Sequence, residues 1–517
     1  MQRPAARFRG LPLLLAVLAL TALAVVLTPG GSATARATPA VNPQQPNIIL
    51  ILTDDQDLLL GSLDVMPNVR ALLTRQGTSF SHFLVPLSLC CPSRASILTG
   101  RYAHTTQIYT NDLPDGGFPR FHELGYEEET IAVALQAAGY RTAMMGKYLN
   151  DYPLGVADSY VPPGWDEWDV PSGGAPYTEF NYVMNTNGAL VSRGAAATDY
   201  MTDVLSKRAR TFVSQAAADK APFFLFLAPY APHKPCTPAP RHAKLFPKAR
   251  VPRTPSFNEA DVSDKPAAIR NLPPLNAGDI ANLDALYRLR LQTLQAVDEM
   301  VASLVNTLTR SGQLANTYIL FASDNGFHMG QHRMGATKYT PYEEDIRVPL
   351  IVRGPGVPAR RVVNALAENV DLAPTLAELA GATLRVPPDG RSLVPLFGGT
   401  TPPDWRRLAL LEQFHFRDVP NPDDNVREPS DDDRQVDKEY TTHLGLRADS
   451  WKYVEYPTGE REVYDLAHDP YELQNLASRA DPNLLNRLSY RVHSLEACAG
   501  ETCRQLERMP IPSPVPP

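Results

Sequence analysis

The stretch "PNIILILTDDQD", residues 46–57, decides how the chain is read: a continuous apolar run stops abruptly at two carboxylates. A strand with one wet face alternates apolar and polar residues. An unbroken apolar run instead fits a strand buried on both faces, as in a parallel sheet covered by helices. Two other stretches share the design: "APFFLFLAPYAPHKP" (221–235) runs out to His233, and "NTYILFASDNGFH" (316–328) ends at Asp324 and Asn325. Helical patterns lie between them, among them "MPNVRALLTRQG", "ETIAVALQAAGY" and "ALYRLRLQTLQAVDEMVASLVNTLTRSG". This alternation predicts an α/β fold with a mostly parallel central sheet covered by helices. Such sheets bind ligands outside the carboxyl ends of their strands. Asp54, Asp55, His233, Asp324 and Asn325 all fall there.

The chain has 517 residues, 44% hydrophobic and 20% charged, enough for one large domain with a satellite or for two or three domains. Its 49 prolines gather in stretches such as "PPLNAG", "TTPPDW" and "MPIPSPVPP", which read as loops and an unstructured end. Past residue 385 the texture changes. The acidic stretch 418–440, "DVPNPDDNVREPSDDDRQVDKEY", reads as an exposed loop. "LGLRADSWKYVEY" and "REVYDLAHDPYELQNLA" then read as short strands leading to a last helix. The expected organisation is a catalytic α/β domain over 36–385, a smaller C-terminal subdomain with an antiparallel sheet over 386–500, and a proline-rich tail over 501–517.

Residues 1–35 read as a secretory signal peptide: Arg3, Arg7 and Arg9 precede the apolar run 11–27, and Ala33-Thr34-Ala35 supplies the cleavage pattern. The run is short for a membrane span, and no cysteine follows it to carry a lipid. A secreted product without a stable membrane anchor is expected. Removing the segment takes away three arginines and no acid, moving the formal charge from −7 to −10. A chain this acidic is unsuited to coating nucleic acid or an anionic membrane. An anionic substrate would need positive charge concentrated in a pocket. Export also fits a disulfide between Cys498 and Cys503, in "EACAGETCRQL", and leaves Cys236 as a buried thiol.

Asp54-Asp55 and Asp324-Asn325 pair hard oxygen donors at two strand ends. Carboxylates crowded this way repel unless a cation lies among them. Oxygen donors suit calcium or magnesium, whereas zinc prefers histidine and cysteine. The second chemical signal is "LSLCCPSRASILTGRY", residues 87–102. Adjacent cysteines rarely bridge each other, because a disulfide needs a wider separation and a near-right-angle dihedral. No C-x-x-C or paired histidine stands near to complete a metal clip. A nucleophile or an accident of packing remains.

C-x-P-S-R followed by "ASILTGRY" resembles the sulfatase signature, in which the first cysteine is converted to formylglycine by a dedicated formylglycine-generating enzyme. Here that residue is Cys90, with Pro92, Ser93 and Arg94 completing the motif and Cys91 in its variable place. "ILTDDQD", "GYRTAMMGKYLNDY", "APYAPHKP", "ASDNGFHMGQHRMGATKYTPYEEDIRVPLIVRGPG", "NVDLAPTLAELAG" and "VYDLAHDPYELQNLA" resemble further sulfatase blocks in sulfatase order. The spelling is most similar to N-acetylglucosamine-6-sulfatases and the catalytic domains of extracellular heparan endosulfatases, without the long basic insertion of the latter.

The resemblance implies an alkaline-phosphatase-like fold and one divalent ion, usually calcium, held by Asp54, Asp55, Asp324, Asn325 and residue 90. It implies that one hydroxyl of the hydrated aldehyde at residue 90 attacks sulfur, and that the second releases sulfate as the aldehyde re-forms. Arg94 would orient the diol. Lys147 and Lys338 would bind sulfate oxygens. His233 would bind substrate and protonate the leaving oxygen. Many arylsulfatases place a histidine two residues after the first of these lysines as the base for sulfate elimination. Here Leu149 stands there, followed by Asn150, a candidate substrate-binding residue in the subgroup's "GKYLN" form. His328 and His332, in "GFHMGQH", are candidates for the missing base, for substrate binding or for structure. The substrate implied is a small or chain-end sulfated saccharide, with a sugar 6-O-sulfate ahead of an aryl sulfate. The rivals are a broad arylsulfatase, a phosphonate or phosphodiester hydrolase of the same fold, and a metal-stabilised binding protein.

Overall fold

The computed structural model describes residues 45–398, 400–414 and 442–515. The expected signal peptide and the acidic stretch 418–440 lie outside them. The first apolar run forms β1, Asn47–Thr53, buried along its whole length. Ile48, Leu50 and Leu52 enter one hydrophobic cluster, while Ile49 and Ile51 enter another. Successive side chains thus feed separate cores on the two faces, which is why the run has no polar alternation. Full burial of each such side chain contributes about 1.5–3 kcal/mol.

Nine more strands complete this sheet: β2 Thr78–Phe80, β3 Arg141–Gly146, β4 Glu167–Gly174, β5 Tyr182–Thr186, β6 Ala189–Ser192, β7 Phe223–Ala228, β8 Thr317–Ser323, β9 Leu350–Arg353 and β10 Arg361–Val363. Their order is β10-β2-β9-β8-β1-β7-β3-β4-β5-β6. The central five, β8-β1-β7-β3-β4, are mutually parallel. Antiparallel neighbours flank them: β9 on β8, and the meander β4-β5-β6.

Cys90–Thr99 is α1. Two helices, α2 Met201–Asp219 and α3 Ala277–Arg310, bury Leu205, Phe212, Leu294, Val301 and Leu308 in the second cluster. The 34-residue α3 starts at a capping box, in which the Asn276 side chain accepts from the Asp279 N–H and the Asp279 side chain from the Asn276 N–H. On the other face α1 and α4, Leu372–Ala380, pack into the first cluster.

The C-terminal part forms an antiparallel sheet of β11 Ala409–Gln413, β12 His443–Arg447, β13 Trp451–Glu455 and β14 Arg461–Asp465, covered by α5, Pro482–Glu496. Two boundaries differ from the sequence reading. Leu393, Leu396, Phe397 and Trp405 belong to the main-sheet cluster, so the main core continues past residue 385. Residues 501–517 are not all tail: Glu501–Arg508 is a helix, α6. Glu507 on α6 is fully buried and accepts hydrogen bonds from Tyr102 Oη at 2.6 Å and Arg406 Nε at 2.8 Å. The prolines that suggested a tail begin only at Pro510. Cys498 and Cys503 are joined by a disulfide at the start of this helix. Cys236 is buried, its thiol donating to the Pro232 carbonyl at 3.1 Å. No helix among the described residues is long and apolar enough to cross a membrane.

Candidate active site

Parallel neighbours end at the same side of a sheet, so their last residues meet. Asp54 and Asp55 follow β1, Asp324 and Asn325 follow β8, Lys147 follows β3, and His233 lies five residues past β7. Backbone bonds tie these exits together: Lys147 N donates to Ala228 O at 2.8 Å, Asp54 N to Ala231 O at 3.3 Å, and Asp324 N to Thr53 O at 3.1 Å. Asp55 has a φ of 65°, a left-handed conformation rare for aspartate, held where the chain turns off the strand.

Cys90 is the first residue of α1 and is fully buried. The amides of a helix's first turn have no partner inside the helix, so this end favours negative charge. The N–H of Cys91 is taken up by Asn111 Oδ1 at 2.9 Å. That contact, and the burial of Cys91 in the first cluster, make it a packing residue.

Around the Cys90 sulfur the structure assembles Asp54 Oδ1 at 3.5 Å, Asp55 Oδ1 at 4.0 Å and Lys338 Nζ at 2.7 Å. Lys338 Nζ also donates to Asp55 Oδ1 at 2.6 Å, and Lys147 Nζ to Asp54 Oδ2 at 2.7 Å. Arg94, one helical turn after Cys90, donates from Nε to Asp324 Oδ2 at 2.8 Å and from Nη1 to the Lys147 carbonyl at 2.7 Å. His233 Nε2 is 3.7 Å from Asp55 Oδ2. The opposite nitrogen, Nδ1, lies 2.7 Å from the Lys234 carbonyl and donates to it, which fixes the ring's orientation.

Burial works against every charge here, and the cations offset it unevenly. It would raise Asp54, but Lys147, His233, Arg94 and Lys338 hold that carboxyl well below its usual range. Asp55 is likewise lowered, against burial, chiefly by Lys338 and His233. Asp324 keeps the effect of burial, reinforced by Asp54, and is pushed up to about 6. Burial drives the Cys90 thiol well above its ordinary range despite the two lysines. As it stands the side chain is a neutral thiol.

A divalent cation fits these residues. Ligand atoms of Asp54, Asp55, Cys90 and His233 all lie within 4.8 Å of one another. Asn325 donates from Nδ2 to Asp55 Oδ1 at 2.6 Å, while its buried Oδ1 has no hydrogen-bond partner. An orphaned amide oxygen beside three carboxylates is a donor set for a hard cation.

The structure treats the remaining candidates differently. Asn150 is buried next to the Lys147 turn, its Nδ2 donating to Tyr177 Oη at 3.4 Å. His328 is fully buried and bound through Nδ1 to both oxygens of Asp345 at 2.9 Å, with Nε2 unpartnered. The same Asp345 accepts from Thr340 N at 3.0 Å, two residues after Lys338, so His328 belongs to the frame of the lysine loop. His332 is held in a separate cluster, bonded to Glu259 Oε2 at 2.6 Å and stacked on Tyr342 at 4.2 Å. Burial, with Lys265, lowers it to about 3 and keeps it neutral.

Two supports, Arg290 and Tyr177, lay outside the motifs, and Ser93 stood in the signature without an assigned role. Arg290, in mid-α3, donates to the Asp55 carbonyl, lies 3.5 Å from Asp57 and stacks 4.3 Å from the Phe327 ring. Its signal was an arginine on the apolar stripe of Leu283, Tyr287, Leu291 and Leu294. Ser93 donates to the Asp324 carbonyl and accepts from Asn369 Nδ2 at 2.8 Å, joining α1 to the loop after β8. Tyr177 lies 4.6 Å from the His233 ring and 5.0 Å from Lys147 Nζ, and no local pattern announced it.

The sulfatase family profile matches residues 46–382. The chain is 37% identical over 484 residues to N-acetylglucosamine-6-sulfatase of Homo sapiens, covering 90% of this chain and 87% of that protein. It is 34% identical over 520 residues to an arylsulfatase of Chlamydomonas reinhardtii, covering 93% and 79%. An extracellular sulfatase SULF-1 homolog of Drosophila melanogaster is 39% identical over 390 residues, which is 74% of this chain and 34% of that one. Among solved structures, a complex described as holding its substrate D-glucosamine-2-N,6-O-disulfate superimposes with a TM-score of 0.70 at 24% identity, covering 90% of this chain and 99% of that one. The phosphonate monoester hydrolase of Agrobacterium radiobacter gives 0.65 at 23% identity, covering 88% and 96%. These last two show the alkaline-phosphatase-like fold; the family match and the curated relatives show that the chain belongs to the sulfatase family and is a sulfuric ester hydrolase.

Proposed function

We propose that this enzyme hydrolyses a sugar sulfate, the 6-O-sulfate of a glucosamine residue in a small or chain-end saccharide, at a formylglycine made from Cys90. The observation that carries the reading is one buried helix-start thiol met by Lys338, Asp54 and Asp55, with Lys147 bound to Asp54, Asn325 to Asp55 and Arg94 to Asp324 around it. The curated relatives named N-acetylglucosamine-6-sulfatase, at up to 37% identity over nearly the whole chain, support the sugar. Export by residues 1–35, and maturation by a formylglycine-generating enzyme, are part of the same proposal.

A calcium ion would be held by Asp54, Asp55, Asp324, Asn325 and an oxygen at position 90, and would supply electrophilic polarisation. The aldehyde hydrate would supply one hydroxyl to attack sulfur and a second to release sulfate. The chain's own groups do the rest. Lys338 and Lys147 flank residue 90 and bind the sulfate's outer oxygens as point charges, best in the transition state. Arg94, fixed by Asp324 and the Lys147 carbonyl, orients residue 90 and balances the carboxylates. His233, turned by its bond to Lys234, donates an Nε2 proton to the departing alcohol oxygen. One water is consumed, and one alcohol and one sulfate leave.

The arylsulfatase of Chlamydomonas reinhardtii, at 34% identity, favours a second reading: a broad arylsulfatase. Rates on N-acetylglucosamine-6-sulfate, glycosaminoglycan fragments, nitrophenyl sulfate and a phosphonate ester separate the two. The highest kcat/KM is expected on the sugar 6-sulfate. A preference for nitrophenyl sulfate would establish the second reading, and faster turnover of the phosphonate would overturn both.

A further inference from the structure

The turn Pro176–Thr178 is a detour in the sheet's outer meander, yet it reaches the site for a topological reason. β4 runs parallel to β3, the strand that delivers Lys147, so the carboxyl end of β4 and the turn after it emerge on the catalytic side. The turn is firmly held. Thr178 Oγ1 donates to the Ala175 and Phe180 carbonyls at 2.8 and 2.9 Å. Glu179 accepts from both N and Oγ1 of Thr202 at 2.9 Å, clamping the segment to the start of α2. The half-buried ring of Tyr177 is thereby fixed rather than left on a surface loop.

That ring touches the two groups whose cooperation the reaction needs. Lys147 Nζ lies 5.0 Å from its centroid, within cation–π range. The His233 ring centroid lies 4.6 Å away at 47°, and the Tyr230 ring meets it edge-on at 4.9 Å. Its hydroxyl accepts from Asn150 at 3.4 Å. Lys147 grips the sulfate and His233 serves the alcohol oxygen, so one aromatic plate in contact with both sets their spacing.

We propose that Tyr177 is a positioning residue that holds Lys147 and His233 in register across the bond being cleaved. The inference rests on the sulfatase reading and on His233 as the acid. The ring does the work, and the hydroxyl contributes little. Tyr177→Phe is expected to stay within about threefold of wild type on every substrate, since the cation–π face is kept. Tyr177→Leu should lose about tenfold on nitrophenyl sulfate, through Lys147, and about a hundredfold on N-acetylglucosamine-6-sulfate, through both groups.

The test is a double-mutant cycle of Tyr177→Leu with His233→Ala, read as kcat/KM on both substrates. Tyr177→Leu, placed on His233→Ala, should no longer cost the sugar sulfate more than the aryl sulfate. Full multiplication of the two single effects, or equal loss on both substrates from Tyr177→Leu alone, would overturn the inference. A Phe variant as damaged as the Leu variant would overturn it as well. Failure of the underlying reading looks different: His233→Ala alone would then lower both substrates by one factor.

Discussion

Asp54, Asp55 and Asp324 at the strand ends, and Glu368, Asp371 and Glu507 beneath the small sheet, are two triplets of carboxylates buried to the same degree. Their counter-charges differ. Beneath the small sheet Arg406 reaches all three, Asp371 at 2.6 Å, Glu507 at 2.8 Å and Glu368 at 3.0 Å, and Arg391 adds a second guanidinium on Glu507 at 2.5 Å. Tyr102 Oη lies 2.6 Å from Glu507 and 2.9 Å from Glu368. Burial, partly countered by Arg406, pushes Glu368 up to about 8, so it carries its own proton at neutral pH. At the strand ends three separate cations, Lys147, Lys338 and Arg94, come from three different segments, and an oxygen of Asn325 stays unpartnered. The first arrangement closes on itself and pins α6 to the main body. The second surrounds a thiol with cations and oxygen donors brought from separate segments. Under the proposed function, equal burial serves stability in one place and chemistry in the other.

The sharpest break in this comparison is Cys90→Ala. It is expected to lower turnover by at least about 10⁴-fold, as loss of a nucleophile does, while leaving the thermal midpoint near wild type. Cys91→Ala should keep most of the activity and lose some stability, since Cys91 packs in the core. A large drop in midpoint from Cys90→Ala would make the strand-end cluster structural too.

Next in size are Lys338→Ala and His233→Ala. Lys338→Ala should cost about 10²–10³-fold on sugar and aryl sulfates alike, because both carry the same anion. His233→Ala should cost about 10²–10⁴-fold on the sugar ester and little on nitrophenyl sulfate, whose phenolate leaves unaided. Equal loss on both would make His233 a sulfate-binding group.

Arg406→Leu probes the other triplet. Leaving buried acids without their partner should cost about 3–5 kcal/mol in denaturant unfolding, with kcat per folded molecule unchanged. Lost activity in the remaining folded fraction would erase the distinction between the regions.

The smallest effect concerns pH. His104, next to the Arg406 cluster, is pulled down by burial but raised overall to about 9 by Glu412 at 2.7 Å and the Cys498 carbonyl. A histidine raised in the folded state stabilises fully below its unfolded value near 6.5, and that contribution is lost as pH rises through 9. The free energy of unfolding should therefore fall between pH 7 and 9, by an amount on the order of 1–2 kcal/mol. His104→Gln should flatten the fall.

How much of this was legible follows from where each signal resides. The central strands could be read because burial on both faces forces uninterrupted apolar runs, and the meeting of Asp54, Asp55, Asp324 and Asn325 because each pair ends one of two neighbouring parallel strands. Cys90 and the lysines rested on resemblance, since no periodicity marks a reactive cysteine. Tyr177 and Arg290 act through contacts 27 to 235 residues distant in the chain, which local patterns do not encode, and Ser93, though in the signature, meets Asn369 276 residues away. α6 was hidden by the prolines after it, because its anchor, Glu507, meets Arg406 only in the fold.

The central claim is that residue 90 works as an aldehyde and not as a thiol. Mass analysis of the peptide containing residues 90–94, from preparations of differing specific activity, tests it directly. The fixed mass decrease of CH2SH becoming CHO is expected at Cys90 alone, in a fraction proportional to activity. Full turnover from protein in which residue 90 is entirely unmodified cysteine would contradict it.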